Sequence, residues 1–325
     1  MKKQEYRPYE ENTKEIQDVL FESRIEAINL AHRKAPKHEW RNYTERMIHI
    51  LFLLLGLITV GCVLLITVYL VISGIPAIRE IGLVDFLFGK EWASTASEPN
   101  YGILPFILTS VYGTAGAILI GVPVGFMTAV YLSKLASPKV KAVMQSAVSL
   151  LAGIPSVVYG LVGMLVLVPG IRKVFSVPDG ASLLAAIIVL AIMILPSIIK
   201  MSITALDAVP KEYEDASLAL GATPIETYFK VSVPAAKSGI AASVVLGVGR
   251  AIGEAMAVMM VAGNVPNMPD SLFQSVRFLT TAVSSEMAYS SGLQRQALFS
   301  IALVLFLFIM LINATLNFFL KREKE

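Results

Sequence analysis

Arg250 and Glu254 stand in the run Gly247-Val-Gly-Arg250-Ala-Ile-Gly-Glu254-Ala-Met-Ala-Val258, near the middle of an otherwise uncharged apolar stretch from Ser238 to Gly263. A stretch of that length crosses a bilayer as a helix. A charge at mid-depth costs at least about 2.5 kcal/mol. Here there are two of opposite sign, spaced i,i+4, which in a continuous helix is one turn apart on one face. Two chemistries answer that cost. The residues can form an ion pair that neutralises itself and pins the helix within a bundle, or Arg250 can meet a charged substrate as it passes.

Other groups in the apolar runs have weaker claims. Gly153-Ile-Pro155-Ser156 breaks the third run and could present backbone amides or the Ser156 hydroxyl to an anion, although proline-kink packing also accounts for it. Gly249 and Gly253 form GxxxG, so close helix packing is the expected use, with space for a substrate as the alternative. Asn313 and Asn317 suit interhelical hydrogen bonds. His32, His38 and His49 have no ligand spacing and Cys62 is alone in the first run, so no metal site or disulfide is expected. No Gly-x-x-x-x-Gly-Lys-Ser/Thr occurs. The chain is therefore expected to hold no P-loop nucleotide, no cofactor and no catalytic site of its own.

The elements that must position these residues are membrane spans. Of 325 residues 55% are hydrophobic and 16% charged, with a mean hydropathy of +0.69; soluble domains carry about 25% charge. Six apolar runs are long enough to cross: 48–73, 103–132, 144–168, 182–205, 238–263 and 297–320. Pro105, Pro123, Pro155 and Pro196 lie within three of them, which places those spans against protein or a cavity. An even number of spans puts both termini on one side. With the termini inside, 20 of 27 Lys/Arg fall in inner segments, which favours cytoplasmic termini. The net charge of +3 points to no nucleic-acid partner.

Residues 1–47 read as a polar cytoplasmic arm and 48–325 as a six-helix transmembrane domain. Within the arm Ile16, Val19, Leu20, Ile28 and Ala31 recur at near-helical spacing, consistent with a short amphipathic helix or a disordered tail. The first run is read as a retained anchor, since about 46 polar residues precede it. Outside the membrane, Trp92 and Tyr101 suit an interfacial position, and Ser271–Met287 suits a flat or re-entrant helix.

The most informative loop, 207–237, joins the fourth and fifth spans on the inner side. Pro210 starts a helix, and Glu212, Glu214 and Asp215 fall in its first turns, where they complement the dipole. Gly221 suits the stop. Thr223-Pro224-Ile225-Glu226 then has the form of a capping box, and Pro234 closes the second helix. Two short helices, one with a Tyr213/Ala216/Leu220 face, make a rigid docking knob rather than a slack connector.

This loop resembles the EAA loop of ABC-importer membrane subunits. That pattern is Glu-Ala-Ala, three residues, Gly, nine residues, Ile-x-Leu-Pro; here it reads Asp215-Ala216-Ser217, Gly221 and Val231-Ser-Val233-Pro234 at the same spacing. Gly249-Arg250-Ala-Ile-Gly253-Glu254-Ala-Met-Ala-Val and Gly263-Asn264 are similar to the fifth span of the phosphate-specific (Pst) permeases, more like the PstC subunit than PstA. Phe86-Leu-Phe-Gly-Lys-Glu-Trp92, Leu104-Pro105 and Ala152–Gly160 agree, and the likeness covers about 50–320, leaving the N-terminal arm outside it.

The resemblance implies an all-α, polytopic membrane protein with six transmembrane helices and the type I, MetI-like ABC-importer permease fold, in the plasma or inner membrane of a prokaryote. It implies a second, PstA-like permease, a cytoplasmic ATPase dimer that binds ATP and Mg, and an extracytoplasmic phosphate-binding protein. Glu214, Asp215, Ala216, Gly221 and Pro234 would be the ATPase-coupling residues. Arg250, Glu254 and Ser156 would line the substrate path, with Glu254 as the resting counter-ion of Arg250. The same machine could carry molybdate or sulfate. An ATP-independent carrier or channel, or a phosphate-sensing scaffold, would use the same charged pair without the coupling loop.

Overall fold

The computed structural model describes residues 20–26 and 39–322, and the chain divides into two compact units, Met1–Ile66 and Thr67–Glu325. In the first, residues 20–26 are helical and expose Leu20, Phe21 and Ile25. Ile16, Val19, Ile28, Ala31, His32 and His38 lie outside the described residues. Helix α1 (Glu39–Ile81) begins in this unit, and every described side chain from 45 to 66 is exposed. An apolar helix with no face buried in protein has lipid as its solvent.

Five helices are long and apolar enough to cross a membrane: Glu45–Ile81, Leu104–Leu135, Ser156–Phe175, Leu183–Asp207 and Gly292–Thr315. A sixth crossing is reached by counting Pro224–Ala235 and Lys237–Gly253, bent by 71°, as one. Numbered in chain order within the second unit, the elements are α2 (Leu83–Phe88), the strands β1 (Trp92–Ala93) and β2 (Asn100–Tyr101), α3 (Leu104–Val130) and α4 (Pro138–Gly153). Then come α5 (Ser156–Val162), α6 (Val168–Phe175), α7 (Leu183–Asp207), α8 (Lys211–Ala219), α9 (Pro224–Thr227) and α10 (Val233–Ala235). The last are α11 (Lys237–Gly253), α12 (Met256–Val261), α13 (Leu279–Glu286) and α14 (Gly292–Arg322).

The fourth span, α7, buries most of its apolar side chains, while its polar Lys200, Thr204 and Asp207 share the exposed face of its inner end. Leu183, Leu190, Ile194, Ile198 and Leu206 are among its buried side chains. Its neighbours approach through glycine. In α3, a Cβ added at Gly116, Gly121 or Gly125 would come within 2.7, 2.7 and 3.0 Å of Ile187, Ile194 and Ile198. From the other side Gly247 of α11 faces Ile198, at 3.1 Å for the same construction. In lipid the gain comes from packing rather than from escaping water, so small residues that admit a neighbour's side chain hold the bundle together.

Two expected spans are interrupted. The third run, read as 144–168, is divided: α4 ends at Gly153, Ile154 and Pro155 are extended, and the crossing helix is Ser156–Phe175. Proline excludes the residue before it from the helical region, which explains the break. The fifth run ends its first helix at Gly253, and α12 restarts at Met256. Its second half closes with Gly263 and Asn264 both left-handed (φ 85° and 56°), where Asn264 Nδ2 donates to the Met259 carbonyl at 2.7 Å.

Outside the spans one expectation is corrected and one is narrowed to its re-entrant alternative. Trp92 and Tyr101 are buried rather than interfacial, since the antiparallel hairpin β1–β2 places them edge to face at 5.4 Å beside Phe106. Burial, with the Glu80 charge adding to it, raises the Tyr101 hydroxyl above its ordinary pKa. In the segment Ser271–Met287 only Leu279–Glu286 is helical. Its first turn, Leu279–Ala282, is buried, so the segment dips into the bundle instead of lying flat.

Candidate functional site

Arg250 sits in the last turn of α11, half-buried, with Nη1 3.4 Å from Ser197 Oγ of α7. It is also close enough to Tyr159 of α5 for its charge to act on that hydroxyl. None of the ion pairs among the described residues involves Arg250 or Glu254. The intrahelical counter-ion expected from the i,i+4 spacing is therefore corrected, and the reason is local. The helix ends at Gly253, and Glu254 is extended, with φ −74° and ψ 129°. Its Oε1 instead accepts the Ala257 amide at 3.1 Å, at the start of α12. A carboxylate there offsets the unsatisfied amides of a helix N-terminus. Thr280 of α13 donates to the Glu254 carbonyl at 2.8 Å, satisfying another group freed by the break.

Ser156, the third residue expected on the path, begins α5 half-buried, and its hydroxyl makes no hydrogen bond among the described residues. The Pro155 break is bridged by Tyr159, whose hydroxyl donates to the Leu151 carbonyl at 2.7 Å. Helices α5 and α12 pack together after their breaks: a Cβ at Gly160 would lie 2.8 Å from the Ala257 backbone. The span containing Ser156 and the one containing Glu254 are thus interrupted beside each other.

Leu246, Gly249, Arg250 and Gly253 follow i, i+3, i+4, i+7 and share one face of α11. That face is open. Leu246 is exposed, and a Cβ at Gly249 or Gly253 would meet nothing within 4 Å. The expected GxxxG packing is not made within this chain. What the two glycines do here is leave backbone-level clearance on either side of a guanidinium, which carries five N–H donors and engages one neighbour at long range.

The loop 207–237 folds largely as its sequence directs. Helix α8 follows Pro210, Gly221 takes φ 88°, and both halves of the Thr223/Glu226 capping box form. Glu226 accepts from the Thr223 amide at 3.1 Å. That bond, the Thr223 hydroxyl and Lys230 hold its carboxyl below the ordinary range. Asp215 and Ala216 are exposed, flanked by exposed Tyr213, Leu220 and Ile225. Pro234 does not close its helix. The run continues to Ala235, and Tyr228–Ser232 before it widens into a π turn, which fits proline's missing N–H and its clash with the preceding turn.

Glu214 is placed differently from its neighbours. It faces inward, taking Lys134 Nζ at 2.6 Å and the Ser232 hydroxyl at 2.9 Å. A second polar cluster at the other end of the spans has no local signal in the sequence. Arg277 pairs with Glu286, which also accepts from Trp92 Nε1 at 3.3 Å and Gln294 at 3.1 Å. Arg277 Nε donates to the Asn264 carbonyl at 2.9 Å. These residues lie up to about 200 positions apart, and only the fold unites them.

A multi-pass helical bundle with paired broken spans, an unneutralised span arginine on an open face and a stiff two-helix loop defines a transport subunit that works with other chains. Residues 121–324 match the family described as "Binding-protein-dependent transport system inner membrane component", and the chain belongs to that family. It is 41% identical over 79% of its length to the "Probable ABC transporter permease protein YqgH" of Bacillus subtilis, covering 86% of that protein. It is 34% identical over 84% of its length to the "Phosphate transport system permease protein PstC" of Haemophilus influenzae, covering 91%.

Among solved structures, a bacterial alginate ABC transporter in complex with an alginate-bound periplasmic protein matches with a TM-score of 0.57 at 15% identity, over 87% of this chain and 96% of that one. The MetNI methionine ABC transporter, inward facing, matches with a TM-score of 0.51 at 20% identity, over 68% and 94%. These likenesses establish the fold. The all-α, MetI-like importer architecture expected from the sequence is borne out, with a two-residue hairpin as a small addition.

Proposed function

We propose that this chain is the transmembrane permease subunit of an ATP-driven phosphate importer. The observation that carries the proposal is Arg250: a half-buried span cation with no carboxylate in ion-pair range among the described residues, between two glycines, on a face that these residues leave open. A tetrahedral oxyanion supplies the missing negative charge and fits the guanidinium fork. Ser197, bonded to Arg250, and Tyr159, within reach of its charge, would contribute hydroxyls from two further spans, with Ser156 one turn before Tyr159 as a further candidate. Glu254 caps α12, and its charge near the path keeps the site from holding the anion too tightly. The PstC proteins among its relatives support phosphate as the substrate.

The open face of α11 implies that a second, PstA-like permease completes the path. The exposed Asp215/Ala216 surface of α8, with Gly221 ending it, would dock a cytoplasmic ATPase dimer that binds ATP and Mg. Both termini then lie in the cytoplasm, as the Lys/Arg distribution favours, and an extracytoplasmic phosphate-binding protein delivers substrate to the opposite face. No bond in phosphate is made or broken by this chain. It converts closure of the ATPases into alternate access at Arg250.

The test is uptake of labelled phosphate by the complete complex in sealed vesicles, with sulfate, arsenate and molybdate as competitors. Arsenate, a near isostere, should compete, and sulfate and molybdate should not. Preferential uptake of molybdate or sulfate would reassign the substrate; uptake without ATP would exclude the importer reading.

A further inference from the structure

The short connection 131–137 and the start of α4 hold two acids of the inner loop at once. Lys134 Nζ lies 2.6 Å from Glu214 Oε1, with 11% and 18% of the two side chains exposed. Ser133 Oγ donates to Asp207 Oδ1 at 2.6 Å, and Lys141 Nζ reaches Asp207 Oδ2 at 2.9 Å. Glu214 also takes the Ser232 hydroxyl at 2.9 Å, and Ser217 of the same helix bonds Thr227 at 2.9 Å. Helix α8 is thereby tied on one side to the end of the second span and on the other to the helical run that leads into the fifth.

The contrast within α8 is informative. Asp215 and Ala216 are exposed, whereas Glu214 is turned into the protein, where its Oε1 takes two donors. A surface contact for another protein does not need its charge neutralised internally, and this one is. The two links also differ in strength. The Lys141–Asp207 pair is more exposed, at 29% and 41%, and water screens it. The Lys134–Glu214 pair is sheltered, so breaking it leaves a charge without its partner.

We infer that Glu214 is a positioning residue for energy coupling. Its clasp with Lys134 makes α8 and the inner end of α3 move as one body, so that a push on α8 reaches a span packed on α7. The inference rests on the importer reading above and assigns Glu214 a role distinct from docking. Without the clasp the knob still binds its motor and still permits ATP hydrolysis, but its displacement is lost in local tilting.

The experiment uses the full complex in vesicles, with ATP hydrolysis, phosphate uptake and ATPase co-purification measured together for wild type, Glu214→Gln, Lys134→Met and the charge swap Lys134→Glu/Glu214→Lys. Co-purification and hydrolysis should persist in the single variants, while phosphate taken up per ATP falls on the order of tenfold, within the usual range of a coupling free energy between sites. The swap should recover much of that ratio. An unchanged ratio in both single variants, or a lost ATPase association in Glu214→Gln, would overturn the inference, as would a swap no better than the singles. Wild-type vesicles without ATP-dependent oxyanion uptake would instead refute the importer reading itself.

Discussion

Replacing Arg250 with Gln separates the two roles that its sequence position allows. If Arg250 were half of a sheltered ion pair, losing it would strand a carboxylate and cost about 3–5 kcal/mol of stability. In the fold Glu254 is occupied with the Ala257 amide and Arg250 with Ser197 at 3.4 Å. Among the described residues no acid is stranded, and only a long bond to Ser197 is given up. Stability should therefore change by less than about 0.5 kcal/mol, the range for substitutions that disturb no buried partner. Transport should suffer far more. Charge-assisted hydrogen bonds contribute about 1.5–3 kcal/mol, so loss of the fork lowers phosphate uptake on the order of 10- to 100-fold. The substitution Arg250→Lys keeps the charge without the fork and should fall between. The measurements are thermal unfolding of the purified complex and initial uptake rates across phosphate concentrations. A large loss of stability together with normal uptake by the folded fraction would refute the reasoning.

Three further outcomes follow from particular residues. Gly221→Ala forces a side chain into φ 88° with nothing within 4 Å to clash, so it should cost about 1–2 kcal/mol through backbone strain alone; ATPase association should weaken while the thermal stability of the span bundle is kept. Gly121→Val pushes into Ile194, where even a Cβ would sit 2.7 Å away, and overpacking of this kind costs about 1–3 kcal/mol, to be read as a lower unfolding temperature. Glu226 has its carboxyl held below the ordinary 4.5 by Thr223 and Lys230. Its contribution to the capping box is thus complete above the ordinary value and is lost as pH falls through the depressed one; amide exchange over 223–227 should quicken at low pH in the wild type, and Glu226→Gln should flatten that dependence.

Much of the architecture was legible because it is set by local chemistry. Apolar length demands helices in lipid, where backbone groups have no water to turn to, and the spans duly form, with α7 innermost because most of its length is apolar and buried. The capping box at Thr223 and the left-handed Gly221 depend on contacts a few residues apart, so a linear reading could place them. Pro155 likewise announced its break through the steric rule for the residue before proline, although the crossing helix then ran to Phe175 instead of starting at 144.

The break at Glu254 had no such announcement. A Gly-Glu step in an apolar run reads as continuous helix, and its interruption stands only because Thr280, Ala257 and the packing of Gly160 satisfy what the helix gives up. Two of those partners, Thr280 and Gly160, come from other segments of the chain. The inward turn of Glu214 toward Lys134, 80 residues earlier, and the burial of Trp92 against Tyr101 and Phe106 are of the same kind. The sequence by itself determined that this chain crosses the membrane repeatedly, carries an arginine at mid-span and forms a stiff two-helix loop. Only the tertiary structure decided that the arginine pairs with no acid among the described residues, because a charge is neutralised by what stands near it in space, and spacing along a helix counts only while the helix continues.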